Sequence, residues 1–258
     1  MKNFQINVIP CLTDNYGFLL ADLDQGVAIA VDTPDDKVIT EYLESKGWAL
    51  SFILNTHHHH DHIGGNSQLK KRWDCQIFCS EYDFEKKRVP DADDSVKDGD
   101  LLTLGNFEVE VLGVPGHTLG HVAYYFPKLS KVFVGDTLFA LGCGRLFEGT
   151  PSMMFKSLSK LMKLPDDTLV YCAHEYTKAN LRFALTIEPN NVNLLTRQIE
   201  VLSATEKGLP TVPTSIGVER KTNPFLRTHS RALRNGLGMP DSNDVAIFGE
   251  IRKRKDYF

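Results

Sequence analysis

Short apolar runs set the pattern of the first two-thirds of the chain. Residues 4–9, 17–21 and 27–31 are rich in β-branched and apolar side chains, parted by Thr13-Asp14-Asn15 and Asp24-Gln25-Gly26. They predict strands joined by turns. The period then lengthens over 36–46, where Val38, Ile39, Tyr42 and Leu43 share one face and Gly47 follows, which predicts a helix. A strand at 51–54 runs straight into Thr56 and a histidine run; a helix is expected from Gly64-Gly65 to Arg72, then a strand at 76–79. The acidic segment 91–100 contains Asp98-Gly99, a hairpin signal before a strand at 101–104. Strands at 107–112, 122–126 and 131–134 form a second group. Pro151 opens a helix to about Met162, and a strand at 168–172 leads to His174. Beyond it the period is helical, at 179–187, 192–202, 228–236 and 241–254, with a Pro-interrupted stretch between. The pattern predicts an α/β (α+β) body, residues 1–173, and a smaller α-helical domain, residues 174–258.

Composition narrows the function classes. The 258 residues carry Lys+Arg 29 against Asp+Glu 33, a net charge of -4, which argues against a general nucleic-acid binder. No apolar run approaches the ~18 residues of a membrane span, and the first residues lack the long apolar core of a signal peptide. The five cysteines, Cys11, Cys75, Cys79, Cys143 and Cys172, are odd in number and form no CxxC pair. That usage predicts a reduced, cytoplasmic protein without a disulfide framework.

The chemistry concentrates in Thr56-His57-His58-His59-His60-Asp61-His62-Ile63-Gly64-Gly65. His57 and His59 lie two apart, so in an extended segment they point to one side. Imidazole and carboxylate together suit Zn, Fe or Mn. Three later strands also end on such groups: Gly116-His117-Thr118-Leu119-Gly120-His121, Gly135-Asp136-Thr137 and Ala173-His174-Glu175. His57, His59, Asp61, His62, His117, Asp136 and His174 are too many ligands for one ion and suit two ions about 3.5–4 Å apart. His58, His60, His121 and His229 are read as ordinary histidines, with His121 a candidate support for a ligand. Cys143 lies between glycines, but no base other than the metal histidines serves it as a nucleophile.

The ordered motifs HxHxDH, GHTxGH, GDT and a last histidine resemble the metallo-β-lactamase superfamily. The segments Val134–Phe139, Gly142-Cys143-Gly144-Arg145-Leu146-Phe147-Glu148-Gly149-Thr150, Cys172-Ala173-His174-Glu175-Tyr176-Thr177 and Ile251-Arg252-Lys253-Arg254-Lys255-Asp256 are similar to glyoxalase II, the hydroxyacylglutathione hydrolase family, and this similarity spans essentially the whole chain. It implies an αββα sandwich with the helical C-terminal domain contributing to a glutathione site. It implies hydrolysis of S-(2-hydroxyacyl)glutathione, such as S-D-lactoylglutathione, to glutathione and a 2-hydroxy acid, the second step of methylglyoxal degradation. It assigns His57, His59 and His117 to one metal, Asp61, His62 and His174 to the other, and Asp136 to both. The attacking hydroxide would be held by Asp136, Asp61 and His59. Zinc is the expected metal, with iron or manganese as alternatives. Arg145, Phe147, Tyr176, Arg252 and Lys255 would contact glutathione, although some members carry lysine and tyrosine where this chain has Arg145 and Phe147. The family further implies a monomer, while the net charge and the lack of a long apolar run predict no nucleic-acid or membrane partner.

The charge logic agrees, since a glutathione thioester brings two carboxylates and one ammonium, and Arg145, Arg252 and Lys255 offer a local positive site. Persulfide dioxygenases share the scaffold but use one iron, a lactonase or β-lactamase lacks the segments at 142–150 and 252–256, and an RNA-processing nuclease needs an extended basic arm that a net charge of -4 does not support. A metal-storage or sensing module leaves Arg145 and the basic tail without a role.

Overall fold

The computed structural model describes residues 3–258, which group into two compact units: residues 3–113 with Gly120–Gly135, and Val114–Leu119 with Asp136–Phe258.

The first unit holds β1 (Phe4–Cys11), β2 (Asn15–Asp22), β3 (Val27–Val31), α1 (Asp36–Lys46), β4 (Leu50–Leu54), α2 (His60–Ile63), α3 (Asn66–Trp73), β5 (Gln76–Ser80), α4 (Glu81–Glu85), β6 (Asp94–Val96), β7 (Leu101–Leu104), β8 (Phe107–Gly113), β9 (Val122–Phe126) and β10 (Lys131–Gly135). Strands β1 to β6 lie in chain order, antiparallel from β1 to β3 and parallel from β3 to β6. Strands β7 to β10 form an antiparallel meander. Helix α1 begins because the Asp35 carboxylate accepts from the N–H of Lys37 and Val38, and it stops because Gly47 adopts φ 66. Its Ile39 and Leu43 pack into a core with Leu19, Ala30, Ile53 and Ile77 of the first sheet. The other face of that sheet meets the meander: Phe18 lies 5.2 Å from Phe133, Phe4 stacks 4.6 Å from Phe107, and the Tyr124 hydroxyl donates to the Asn55 carbonyl. A strand buried on both faces is apolar throughout, as Val27–Val31 shows.

The second unit holds β11 (Leu138–Phe139), β12 (Gly142–Cys143), α5 (Pro151–Leu161), β13 (Leu169–Cys172), α6 (Thr177–Ile187), α7 (Val192–Glu206), β14 (Thr214–Ser215), α8 (Ile216–Thr222), α9 (Arg231–Leu237) and α10 (Asp244–Asp256). Thr150 caps α5 by accepting from the Met153 N–H, with Pro151 at the first helical position. Helix α10 packs along α5, with Phe155 and Phe248 rings 6.2 Å apart. The β11–β12 ribbon is held from the helices. Asn180 donates to the Ala140 carbonyl, Asn223 donates to the carbonyls of Phe139 and Gly142, and buried Glu219 accepts from the Leu141 N–H.

Two expectations need correction. Asp98-Gly99 turns the chain, with Gly99 at φ +88, but closes no hairpin, because β6 pairs with β5 in one sheet and β7 with β8 in the other. The segment read as acidic turns contains β6, and the Pro-interrupted stretch contains β14 and α8, which are too short to show a period.

Phe133 is fully buried between Phe18 and Phe126. Phe133→Ala should therefore lower the unfolding free energy by about 3–5 kcal/mol in urea denaturation. A loss under about 1 kcal/mol would show that the two sheets are not held together through this contact.

Candidate active site

In the first unit, the histidine run leaves the end of β4 and is anchored by polar side chains that carry no motif. The Asn55 amide donates to the His62 carbonyl, Asn66 donates to the Asn55 side chain at 2.7 Å, and Thr33 donates to Asn66 at 2.6 Å. This buried clamp bends 55–66 into a tight loop, so four donor side chains leave one short stretch. The Nε2 of His57 comes within 3.0 Å of Nδ1 of His59, and Nε2 of His62 lies 3.6 Å from Oδ2 of Asp61. Asn15 donates to that same Asp61 oxygen at 2.9 Å.

The proton positions in this loop follow from Asp32. Its carboxylate is 1% exposed and accepts from the Thr56 N–H and hydroxyl, each at 2.8 Å. It also lies 2.8 Å from Nδ1 of His62. A carboxylate only accepts, so the His62 proton sits on Nδ1. The Thr56 hydroxyl proton is committed to Asp32, so its oxygen, 3.1 Å from Nδ1 of His57, accepts there. Both imidazoles are thereby fixed as Nδ1–H tautomers whose Nε2 lone pairs face other donor atoms. The backbone of Asp32 is left-handed, φ 55, a conformation that Asp tolerates but β-branched residues do not. The neighbouring histidines are also placed: the His121 ring stacks on His57 at 4.6 Å, and His58 lies 3.3 Å from the buried Asp83 carboxylate.

In the second unit, His117, Asp136 and His174 come together. The Nε2 atoms of His117 and His174 each lie 3.4 Å from one Asp136 oxygen. Nδ1 of His117 lies 2.8 Å from the Arg145 carbonyl, which again places the proton on Nδ1 and turns the lone pair to the carboxylate. The segment 145–150 explains itself here: the N–H groups of Phe147 and Glu148 donate to the His117 carbonyl, and the Glu148 carboxylate accepts from the Leu119 N–H. Gly144 is obligatory, since a Cβ there would lie 1.9 Å from the Asp136 carbonyl oxygen.

Lone pairs aimed at carboxylate oxygens need positive charge between them. In each unit the donors are imidazole nitrogens and carboxylates, and the second nitrogens of His57, His62 and His117 are engaged by a hydroxyl, a carboxylate and a carbonyl in turn. That is the chemistry of a divalent-metal ligand set with its supporting shell, and the residues fit one.

Beside His117 and Asp136 the second unit has a cavity of about 520 Å³. Arg145, Phe147, Tyr176, Arg252 and Lys255, all expected from the sequence, line it. The Tyr176 ring stacks on His174 at 4.7 Å, and Phe147 stands edge-on to His117 at 5.1 Å. Arg252 is no solvated tail residue: it is 4% exposed, donates to the Cys143 carbonyl at 2.8 Å and pairs with Asp256 at 2.8 Å. Burial, chiefly, with repulsion from Arg252, Arg145 and Arg182, lowers the Lys255 pKa to about 8. Cys143 also lines the cavity, but burial pushes its thiol up to about 11, so it supplies no thiolate near neutral pH. Sequence reasoning missed Asn15, Asp32, Thr33, Asn55, Thr56 and Asn66, whose signal is only a polar residue at a strand end.

Asp32→Asn is the informative change. The amide, oriented to accept from Thr56, presents its NH₂ to His62 and favours the tautomer with hydrogen on Nε2. We expect metal affinity, measured by competition with a chelator, to fall about 10–100-fold with little change in thermal stability. Unchanged affinity would mean that Asp32 does not set the tautomer.

Comparison with known proteins places these features. Residues 31–174 match the family model of the metallo-beta-lactamase superfamily, and residues 175–258 match that of the hydroxyacylglutathione hydrolase C-terminus. A hydroxyacylglutathione hydrolase of Maricaulis maris is 49% identical over 258 residues, covering 100% of both chains. One from Brucella ovis is 49% identical over 257 residues, covering 100% of this chain and 99% of its own. Among solved structures, ETHE1 from Myxococcus xanthus has a TM-score of 0.68 at 24% identity, covering 97% of this chain and 90% of its own. The BLEG-1 B3 metallo-beta-lactamase has a TM-score of 0.66 at 23% identity, covering 86% and 99%. At that identity the two structures speak for the fold alone, the mixed α/β class with a C-terminal helical region. On the two family models and the full-length relatives, the chain belongs to the hydroxyacylglutathione hydrolases of the metallo-β-lactamase superfamily.

Proposed function

We propose that the chain hydrolyses the thioester of S-(2-hydroxyacyl)glutathione, S-D-lactoylglutathione being the type substrate, to glutathione and the free 2-hydroxy acid. The observation that carries this reading is the cavity of the second unit. Four of its lining side chains, Arg145, Arg182, Arg252 and Lys255, are cationic and two, Asp136 and Asp256, are anionic, beside donor groups of the metal-binding kind. An anionic peptide thioester matches that balance, with its carboxylates toward the cations and its acyl group toward His117 and Asp136.

We assign His57, His59 and His117 to one divalent ion, Asp61, His62 and His174 to a second, and Asp136 to both, with zinc, iron or manganese suited to such ligands. Two such ions, when bound, supply a water acidic enough to attack at neutral pH and a Lewis acid for the carbonyl oxygen. The chain's own part is to position and to bind. Asp32, directly and through Thr56, and the Arg145 carbonyl keep imidazole protons off the reacting side. Phe147 and Tyr176 give the cavity aromatic walls beside the ligand histidines. When the C–S bond breaks, glutathione leaves as a thiolate of ordinary pKa ~8.5, so no dedicated acid is required. We take 1–173 as the metal-binding domain and 174–258 as the helical domain, supported by family models that abut at 174 and 175.

We also place the protein in the cytoplasm as a monomer acting without nucleic acid or membrane. Support comes from five buried free thiols, which suit a reducing compartment, and from the net charge of -4. Among the described residues, no helix is long and apolar enough to cross a membrane.

Two failures should be separable. Asp136→Ala should lose metal, read by elemental analysis, and activity together. Lys255→Met, which keeps the packing of the stem, should keep the metal and raise KM about 10–100-fold through one lost charge-assisted contact. An unchanged KM would remove Lys255 from the substrate site.

The pH dependence has a definite sign. Arg252, Arg145 and Arg182 repel the Lys255 ammonium, and only Asp256 among the acidic groups acting on it favours its charge. Lys255 is therefore cationic below about 8 and neutral above. Binding of S-methylglutathione, followed by calorimetry, should be full near pH 7 and weaken as pH rises through 8. In Lys255→Met that step should vanish; if it persists there, another group is responsible.

A further inference from the structure

Gly120 opens the second stretch of the first unit, and no side chain fits there. A Cβ on it would lie 2.6 Å from Cγ and Oδ2 of Asp83 and 2.7 Å from its Oδ1. The Gly120 backbone is not left-handed, so glycine is required for the room that this carboxylate takes. Asp83 belongs to α4 and is fully buried, and a buried carboxylate needs partners. Its Oδ1 lies 3.3 Å from Nδ1 of His58 and 3.7 Å from Nη1 of Arg88. Its backbone is fixed as well. The Ser80 hydroxyl accepts from the Asp83 N–H at 3.2 Å, and the Asp83 carbonyl accepts from the Arg88 N–H at 2.9 Å. One fixed carboxylate therefore meets two segments of the first unit, the histidine run at His58 and residues 120–122 at Gly120.

Both segments bear on the same two donors. His58 stands between His57 and His59 in the chain, its ring edge-on to theirs at 6.4 and 5.0 Å. Directly after Gly120, the His121 ring stacks on His57 at 4.6 Å, and the Val122 N–H donates to the Thr56 carbonyl at 2.9 Å. We propose that Asp83 is a positioning residue for the His57–His59 pair. It holds His58 on one side and the backbone before His121 on the other, which keeps Nε2 of His57 3.0 Å from Nδ1 of His59. The inference rests on the assignment of those two histidines to one divalent ion, and it gives tasks to His58 and Gly120. Asp32 fixes the proton of His57 through Thr56, whereas Asp83 fixes where the ring stands. Asp61 and His62 have other anchors, Asn15 for the first and Asp32 with Asn55 for the second. Loss of Asp83 should therefore weaken one ion and spare the other.

The test uses the full chain loaded with cobalt, whose visible d–d bands report the ligands of each ion. Transfer of cobalt to a competing chelator gives the affinities. Asp83→Ala and His58→Ala should each weaken one ion about 10–100-fold, with altered bands, and leave the other within about twofold. Asp83→Asn, which keeps the shape of the side chain, should recover part of the loss. Gly120→Ala should weaken the same ion, because its methyl displaces the carboxylate. Added to Asp83→Ala it should cost nothing more, since the room is then vacant. The His58 side chain is partly exposed, so His58→Ala should fold, which thermal denaturation checks. Where Asp83→Ala does not fold, His58→Ala and Gly120→Ala decide. Unchanged affinities in those two variants, or equal weakening of both ions, would overturn the role of Asp83 and leave the metal assignment standing. So would a Gly120→Ala loss that adds in full to that of Asp83→Ala. Wild type that holds no cobalt would overturn both.

Discussion

A single buried carboxylate governs the reactive face of the first unit. Asp32 gathers the Thr56 backbone, the Thr56 hydroxyl and the His62 imidazole around two oxygens, and through Thr56 it reaches His57 as well. The cost of burying a charge is offset because each bond to it is charge-assisted. What the fold gains is a fixed distribution of protons. Two imidazoles that could each hold hydrogen on either nitrogen are committed to one tautomer before any ion arrives. The second unit reaches the same end by other means, with a backbone carbonyl at Arg145 fixing His117. Preorganised lone pairs lower the reorganisation needed to bind a cation and hold it in place afterwards.

The second unit adds the other half of the chemistry, a cavity that reads charge. Its Arg252 is structural and electrostatic at once: the guanidinium holds the Cys143 carbonyl and Asp256 while standing 5.2 Å over the Phe225 ring. With Asp256 engaged, positive charge is left toward α6. The β11–β12 ribbon between these parts is pinned by Asn180, Glu219 and Asn223, so Phe139 and Cys143 line the cavity in fixed positions. Burial raises the pKa of Glu219, yet three hydrogen-bond donors surround it. That is the pattern of a polar network that specifies a conformation.

Legibility in the sequence followed the range of the interaction. Helix α1 could be read to its last residue, because Asp35, the Ile39 and Leu43 spacing, and Gly47 are all local signals. The histidine run stood out because its spacing within one loop is itself the motif. Asp32, Asn15, Asn55 and Asn66 did not stand out. Each is an ordinary polar residue at a strand end or helix start, and its role exists only once loops distant in sequence meet. The Asp98-Gly99 turn shows the same limit, since turn chemistry is local whereas pairing partners are chosen by the sheets.

The most direct test of the account joins its two halves on one sample of purified protein. Hydrolysis of S-D-lactoylglutathione is followed by loss of the thioester absorbance while bound metal is counted on the same material. The account predicts turnover that scales with metal content and saturates at about two ions per chain. Two ions without thioester hydrolysis, or hydrolysis that persists after the metal is stripped, would contradict it.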